Sequence, residues 1–201
     1  MSKPIITVPN PVLRAKSRPV DTKHELEQVT RVIRDLEDAL EKKRNPRGVG
    51  LSLPQIGKSL RVFSTLLPAS ANTENGNRPD DEEKEKSILQ TYINPEIIAT
   101  AKDTTFGPEP KDPIFEGCLS IPLLYGPVPR FSWVTLRYMK PDLTEEQNTF
   151  YGFFARVIQH EFDHLEGVLF TDYIRQLDLP LFEFRKTRMV EIDKDILAAL
   201  G

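Results

Sequence analysis

The chain has 201 residues, 39% hydrophobic and 28% charged, with a net charge of −3. That balance suits one globular domain spanning 1–201 and excludes a disordered or fibrous chain. An acidic balance argues against DNA and other extended phosphate backbones, no apolar run approaches the ~18–20 residues of a membrane helix, and the opening MSKPIITVPNPVLR lacks a secretory signal's apolar centre.

In chain order, residues 21–44 read as a helix. Leu26, Val29, Val32, Ile33, Leu36, Ala39 and Leu40 recur at three- and four-residue intervals and form one apolar stripe. Thr22 and Glu25 fit a capping box at its start, and Asn45-Pro46 ends it. A turn rich in breakers leads to a strand at 60–67. Residues 69–87 then lose all apolar pattern and carry six acidic and three basic side chains, the composition of a solvated acidic insertion loop. Two strands are predicted around Pro95, at 88–94 and 96–100. Residues 131–138 read as a strand with Trp133 and Thr135 on the face opposite Val134, Leu136 and Tyr138. Helical spacing returns at 150–165, with Gly167 as its stop. An amphipathic stretch at 179–200 predicts a third helix. Strands and helices mix without regular alternation, which favours an α+β fold: mixed or antiparallel sheets around a central helix, with an N-terminal and a C-terminal helix.

The strongest chemical signal lies on that central helix. His160 and His164, two of only three histidines, stand four residues apart in His160-Glu161-Phe162-Asp163-His164. That spacing places both imidazoles on one helix face, able to reach one ion. Glu161 is poorly placed to join the same ion but can reach a water bound to it, the position of a general base. Val157 shares the metal-facing side while Ile158, Phe162 and Leu165 face away, so the helix is buried on both sides and its polar groups need partners. A catalytic centre of this kind needs about three protein ligands. Downstream Glu166, Glu183 and Glu191 are available, as in zinc proteases. Cys118, the lone cysteine, is either an inert core residue or the competing ligand.

Three segments carry a resemblance. Gly48-Val49-Gly50-Leu51-Ser52-Leu53-Pro54-Gln55, Glu116-Gly117-Cys118-Leu119-Ser120 and Gln159-His160-Glu161-Phe162-Asp163-His164 resemble the signature motifs of peptide deformylases, in the family's order. Pro9-Asn10-Pro11-Val12-Leu13-Arg14 is similar to that family's N-terminal segment. The resemblance implies that Cys118, His160 and His164 bind one divalent metal, ferrous iron in the cell, though this ligand set suits zinc, nickel or cobalt as well. It implies Glu161 as the base that later protonates the departing amine, with the Gln55 side chain and the Leu119 backbone N–H as oxyanion donors. Val49, Gly50 and Gly117 would line the cleft, the first two by strand addition to a peptide. Ile114, Tyr125, Phe153 and Val157 would receive a methionine side chain, and Glu116 with Arg130 would hold the cysteine loop.

The implied activity is removal of the N-formyl group from the N-terminal methionine of new polypeptides, releasing formate. The implied partners are formylmethionyl nascent peptides and, transiently, the ribosome, for a monomer in the bacterial cytoplasm or, alternatively, a mitochondrion or plastid. Two rival readings are a zinc endopeptidase with a glutamate as third ligand, and a non-catalytic peptide-binding module. The latter draws on Ser52-Leu53, where the family usually has two alanines and where Leu53 could reshape the cleft. Arg185, Lys186 and Arg188 could meet RNA, but neighbouring acids offset them and a solvated helix face is the simpler reading.

Overall fold

The computed structural model describes residues 3–74, 86–108 and 112–200. Helix α1 spans Leu26–Lys42, and its buried residues are Val29, Ile33, Leu36, Ala39 and Leu40, most of the expected stripe. The expected Thr22 capping box does not form. Asp21 Oδ1 accepts from the Lys23 and His24 amides at 3.0 and 3.2 Å, and Glu25 Oε1 accepts from the Asp21 amide at 2.7 Å. The short Asp carboxylate reaches the amides two and three residues on, so it closes the turn itself.

Two antiparallel sheets form the body. The first joins β1 (Gly50–Ser52), β2 (Val62–Leu67), β3 (Ile88–Thr100), β8 (Trp133–Met139) and β9 (Glu145–Tyr151) in the order β1-β2-β3-β8-β9. The second joins β5 (Phe115–Cys118), β6 (Ile121–Pro127), β10 (Leu181–Arg185) and β11 (Arg188–Ile192) in the order β11-β10-β6-β5. A short pair, β4 (Thr104–Thr105) and β7 (Arg130–Phe131), stands apart. Helix α2 (Gly152–Leu165) packs on the first sheet through Phe153, Phe154, Val157, Ile158 and Leu165, against Phe63, Tyr92, Val134 and Leu136. A seven-residue helix, α3 (Phe170–Gln176), follows.

Several elements depart from the sequence reading. Pro95 does not divide two strands: β3 runs through it, with register shifts that absorb the missing N–H. Asn94, at φ 50°, bends the chain there and clamps Val20, accepting from its N–H at 2.7 Å and donating to its carbonyl at 2.9 Å. The helix expected from 150 starts at Gly152, because Phe150 and Tyr151 still pair with β8. The C-terminal helix is absent. Residues 179–200 instead form the β10–β11 hairpin and a 3-10 segment, Lys194–Ala199. Phe182 pairs with Tyr125, so β10 extends the second sheet, and that tertiary pairing overrides helical periodicity. Arg185 and Arg188 are therefore the ends of a hairpin, not a helix face. Of the acidic insertion at 69–87, Ala69–Ala71 is a 3-10 turn with Ala71 buried, and 75–85 lies outside the described residues.

Candidate metal centre

The centre forms where α2 meets the turn between β5 and β6. His160 and His164 sit one helical turn apart, their ring centroids 5.1 Å from each other. Cys118 ends β5, and its Sγ lies 3.2 Å from His164 Nε2. One ligand atom from each of Cys118, His160 and His164 lies within 4.8 Å of the others. Bonds of about 2.0–2.3 Å to a tetrahedral ion put ligand atoms roughly 3.5 Å apart, so the spacing fits. Two buried polar atoms beside this set, Glu161 Oε2 and His164 Nδ1, have no hydrogen-bond partner among the described residues. One sulfur and two imidazole nitrogens brought this close are a donor set that fits a divalent metal.

Glu116 orients the first histidine. Its Oε2 meets His160 Nδ1 at 3.1 Å, which leaves Nε2 for the centre. Arg130 grips the same carboxylate through Nε and Nη2, each at 2.9 Å, and Arg156 Nη1 donates to Oε1 at 2.9 Å. Burial by itself would raise the Glu116 pKa; the charge of Arg130 and the His160 contact outweigh it and hold the group well below the carboxylate range. Arg130 also reaches Asp163 Oδ2 at 2.5 Å, tying β7 to α2 beside His164. For His160, burial disfavours the cation, but Cys118 and Glu116 prevail and raise its pKa well above normal. Burial drives His164 the other way, well below normal.

Glu161 is 3% exposed, and burial pushes its carboxyl up to about 7. A side chain at Gly50 would collide with it: a Cβ there would stand 2.5 Å from Glu161 Oε1. Gly50 is thus glycine because the carboxylate lies against its backbone. Gln55 sits in the buried 3-10 turn Leu53–Ile56 after β1. Its Oε1 accepts from the Ser52 N–H at 2.8 Å and the Ser52 hydroxyl at 2.9 Å. With the oxygen so held, Nε2 points at the centre, donating to Ser120 Oγ at 3.1 Å and standing 3.6 Å from Cys118 Sγ.

A cleft of about 190 Å³ opens over these groups. Every residue expected there lines it: Val49, Gly50, Gly117, Ile114, Tyr125, Phe153 and Val157, together with Gln55, Glu116, Cys118, Leu119, His160 and Glu161. His164 and Arg130 do not line it. Lys43, Arg47, Leu123 and Arg156 also line it and were not anticipated. Arg156 left a signal in the sequence, as the one charge within Phe153-Phe154-Ala155-Arg156-Val157-Ile158. Leu53 has no exposed surface and packs in the cluster of Leu36, Leu40 and Ile56, away from the cleft. The rival third ligands are engaged elsewhere. Glu166 pairs with Lys16 and Arg61, Glu183 with Arg185, and Glu191 is exposed on β11.

Three potential ligands with a buried carboxylate beside them are the arrangement found in hydrolases that activate water on a divalent ion. More narrowly, the chain belongs to the polypeptide deformylase family, whose sequence pattern matches residues 2–179. A peptide deformylase of Thermomicrobium roseum is 41% identical over 174 residues, covering 85% of this chain and 84% of its own. One of Christiangramia forsetii is 34% identical over 199 residues, covering 96% and 91%. Among solved structures, a Met-Ala-Ser-bound class I type b peptide deformylase of Acinetobacter baumannii superposes with a TM-score of 0.70 at 26% identity, covering 87% of this chain and 99% of that one. That of Thermotoga maritima gives 0.66 at 29% identity, covering 86% and 97%.

Proposed function

We propose how this chain's residues carry out the reaction of its family, removal of the formyl group from the N-terminal methionine of new polypeptides with release of formate. The observation that carries the proposal is the meeting of Cys118, His160 and His164 within 4.8 Å beside a buried Glu161 on the floor of the cleft. Cys118, His160 and His164 would hold a divalent ion, which would supply the positive charge that acidifies a water molecule. Glu161 takes one proton from that water as its oxygen attacks the formyl carbon. The carbonyl oxygen becomes an oxyanion, met by Gln55 Nε2 and the Leu119 N–H. Glu161 then returns the proton to the departing nitrogen as the C–N bond breaks, leaving formic acid and a free N-terminus; the acid's proton passes to the released amine, which gives formate and an ammonium. Burial of Glu161 favours its protonated form, which helps it keep the proton until the nitrogen takes it.

The sheet topology supports the binding mode. β1 and β5 are each the edge of their sheet, and residues of both, Gly50 and Gly117, line the cleft. An extended peptide laid between them pairs with open strand edges on either side. Ile114, Phe153 and Val157 offer an apolar wall for the methionine side chain. Ferrous iron is our choice of metal in the cell, and the bacterial cytoplasm our choice of compartment, with nascent chains met at the ribosome. No helix among the described residues is long and apolar enough to cross a membrane.

The test is an anaerobic assay of iron-loaded protein with formyl-Met-Ala-Ser and with an unformylated peptide. Formate from the first, and no backbone cleavage of either, is expected. Backbone cleavage would support the endopeptidase, and metal binding without any turnover the non-catalytic module.

A further inference from the structure

The concave surface continues beyond the catalytic cleft. A second, more open hollow adjoins it, walled by Arg44, Pro46 and Arg47 on one side and by Tyr125, Phe184 and Met189 on the other. Pro46, Arg47 and Tyr125 line both cavities, so the two are continuous. One wall is a turn bridged between Arg44 and Arg47, which leads through Gly48 and Val49 directly into β1. The other belongs to the sheet whose far edge is β5. The two open strand edges of the cleft are thus extended by the two walls of the hollow.

Its chemistry is uniform. Phe184 and Met189 face each other across the hairpin, yet stay 41% and 38% exposed. The Phe184 ring meets Tyr125 edge-on at 6.5 Å. Arg44 is exposed and makes no ion pair among the described residues, while Arg47 donates to Ser87 Oγ at 2.7 Å. Among the described residues, no carboxylate lines the hollow. Glu191, on the same hairpin face, sits opposite Phe182 and outside the wall, and Glu183 turns to the other face to pair with Arg185.

We propose that this hollow is an extension of the substrate site, taking the stretch of polypeptide beyond the residues held between β1 and β5 and favouring acidic side chains there. The inference rests on the deformylase reading. A chain advancing about 3.3 Å per residue leaves the cleft past Arg47 and Tyr125, with its next residues over the two arginines and the apolar pair. The arginines attract carboxylates and repel lysines, and Phe184 with Met189 give the aliphatic parts of the chain a surface to cover.

The experiment compares formyl-Met-Ala-Ser with hexapeptides that continue it as Glu-Glu-Glu or Lys-Lys-Lys. The acidic hexapeptide is expected to have the higher kcat/KM, by about 2–5-fold for each charge that reaches an arginine, with the difference in KM. Raising salt to roughly 0.5 M should erase the preference. Arg44→Glu should invert it while leaving turnover of formyl-Met-Ala-Ser unchanged. Replacing both Phe184 and Met189 by Ser should raise KM for both hexapeptides while leaving their order, set by the arginines, in place. Equal kcat/KM for the two hexapeptides, or a preference that survives Arg44→Glu, overturns the proposal. Fluorescence anisotropy of the same hexapeptides, unformylated and labelled at the C-terminus, reads the order without turnover. Protein that releases formate but shows no order refutes only the extension. Protein that binds in this order but releases no formate refutes only the deformylase reading.

Discussion

Glu161 combines burial, a carboxyl pushed up to about 7 and contact with Gly50, but it lies outside the set of three atoms that can share an ion. Glu161→Gln should therefore keep about one metal per chain, measured by elemental analysis, while kcat falls by at least ~10²–10⁴-fold. Loss of the metal would make Glu161 structural, and near-normal turnover would move the base elsewhere. Cys118→Ala should behave differently, losing metal and activity together. Ser52 is a subtler case. Its hydroxyl and N–H both hold Gln55 Oε1, so the serine that departs from the family's usual alanine here fixes which end of the amide faces the centre. Ser52→Ala removes one of the two donors, and kcat should drop several-fold with KM little changed, against about 10²–10³-fold for Gln55→Ala. Thermal unfolding should show Ser52→Ala losing only about 1 kcal/mol. A kcat equal to that of the unaltered protein would show that the backbone N–H alone holds the amide.

Helix α2 owes its placement to both its ends. Its first residue, Gly152, has φ 54°, and it stops at Leu165, two residues before Gly167 at φ 74°. At Gly167 a Cβ would stand 2.4 Å from the Arg14 carbonyl oxygen. Gly167→Ala should cost about 1–3 kcal/mol from the left-handed backbone alone, more with the clash, and denaturant titration would show it. A neutral result would mean that the segment around Arg14 can yield. The β10–β11 hairpin illustrates the opposite case, an element that local pattern misreads. Leu179, Phe182, Met189 and Ile196 can be arranged on a helix as readily as on strands, and only the open edge of β6 decides between them.

Across the molecule, the sheet core carries tyrosines that resist ionisation. Tyr92 stacks on Phe63 at 4.7 Å and lies 4.7 Å from Tyr138, and burial holds its phenol far above the usual value. Burial likewise pushes Tyr138 up to about 12. A raised folded pKa stabilises the fold fully below the unfolded value of about 10 and loses that contribution as pH rises through the folded one. Melting temperature should therefore decline from about pH 10 through 12, less steeply in Tyr138→Phe; a flat profile in circular dichroism would refute the reading. Family membership was legible in the sequence, from three motifs in the family's order. Helical spacing alone tied His160, Glu161 and His164 to one another, while the residues by themselves left Cys118 open between core residue and ligand. The α+β mixture was legible too, from changes in apolar period. What only the tertiary structure decided is whatever depends on distant segments meeting: Cys118 beside His164, Ser52 steering Gln55, Arg156 gripping Glu116, the C-terminal hairpin joining β6, and the hollow beyond the cleft. Periodicity reports which face of an element is apolar, but which other element covers that face is settled by packing between residues far apart in the chain.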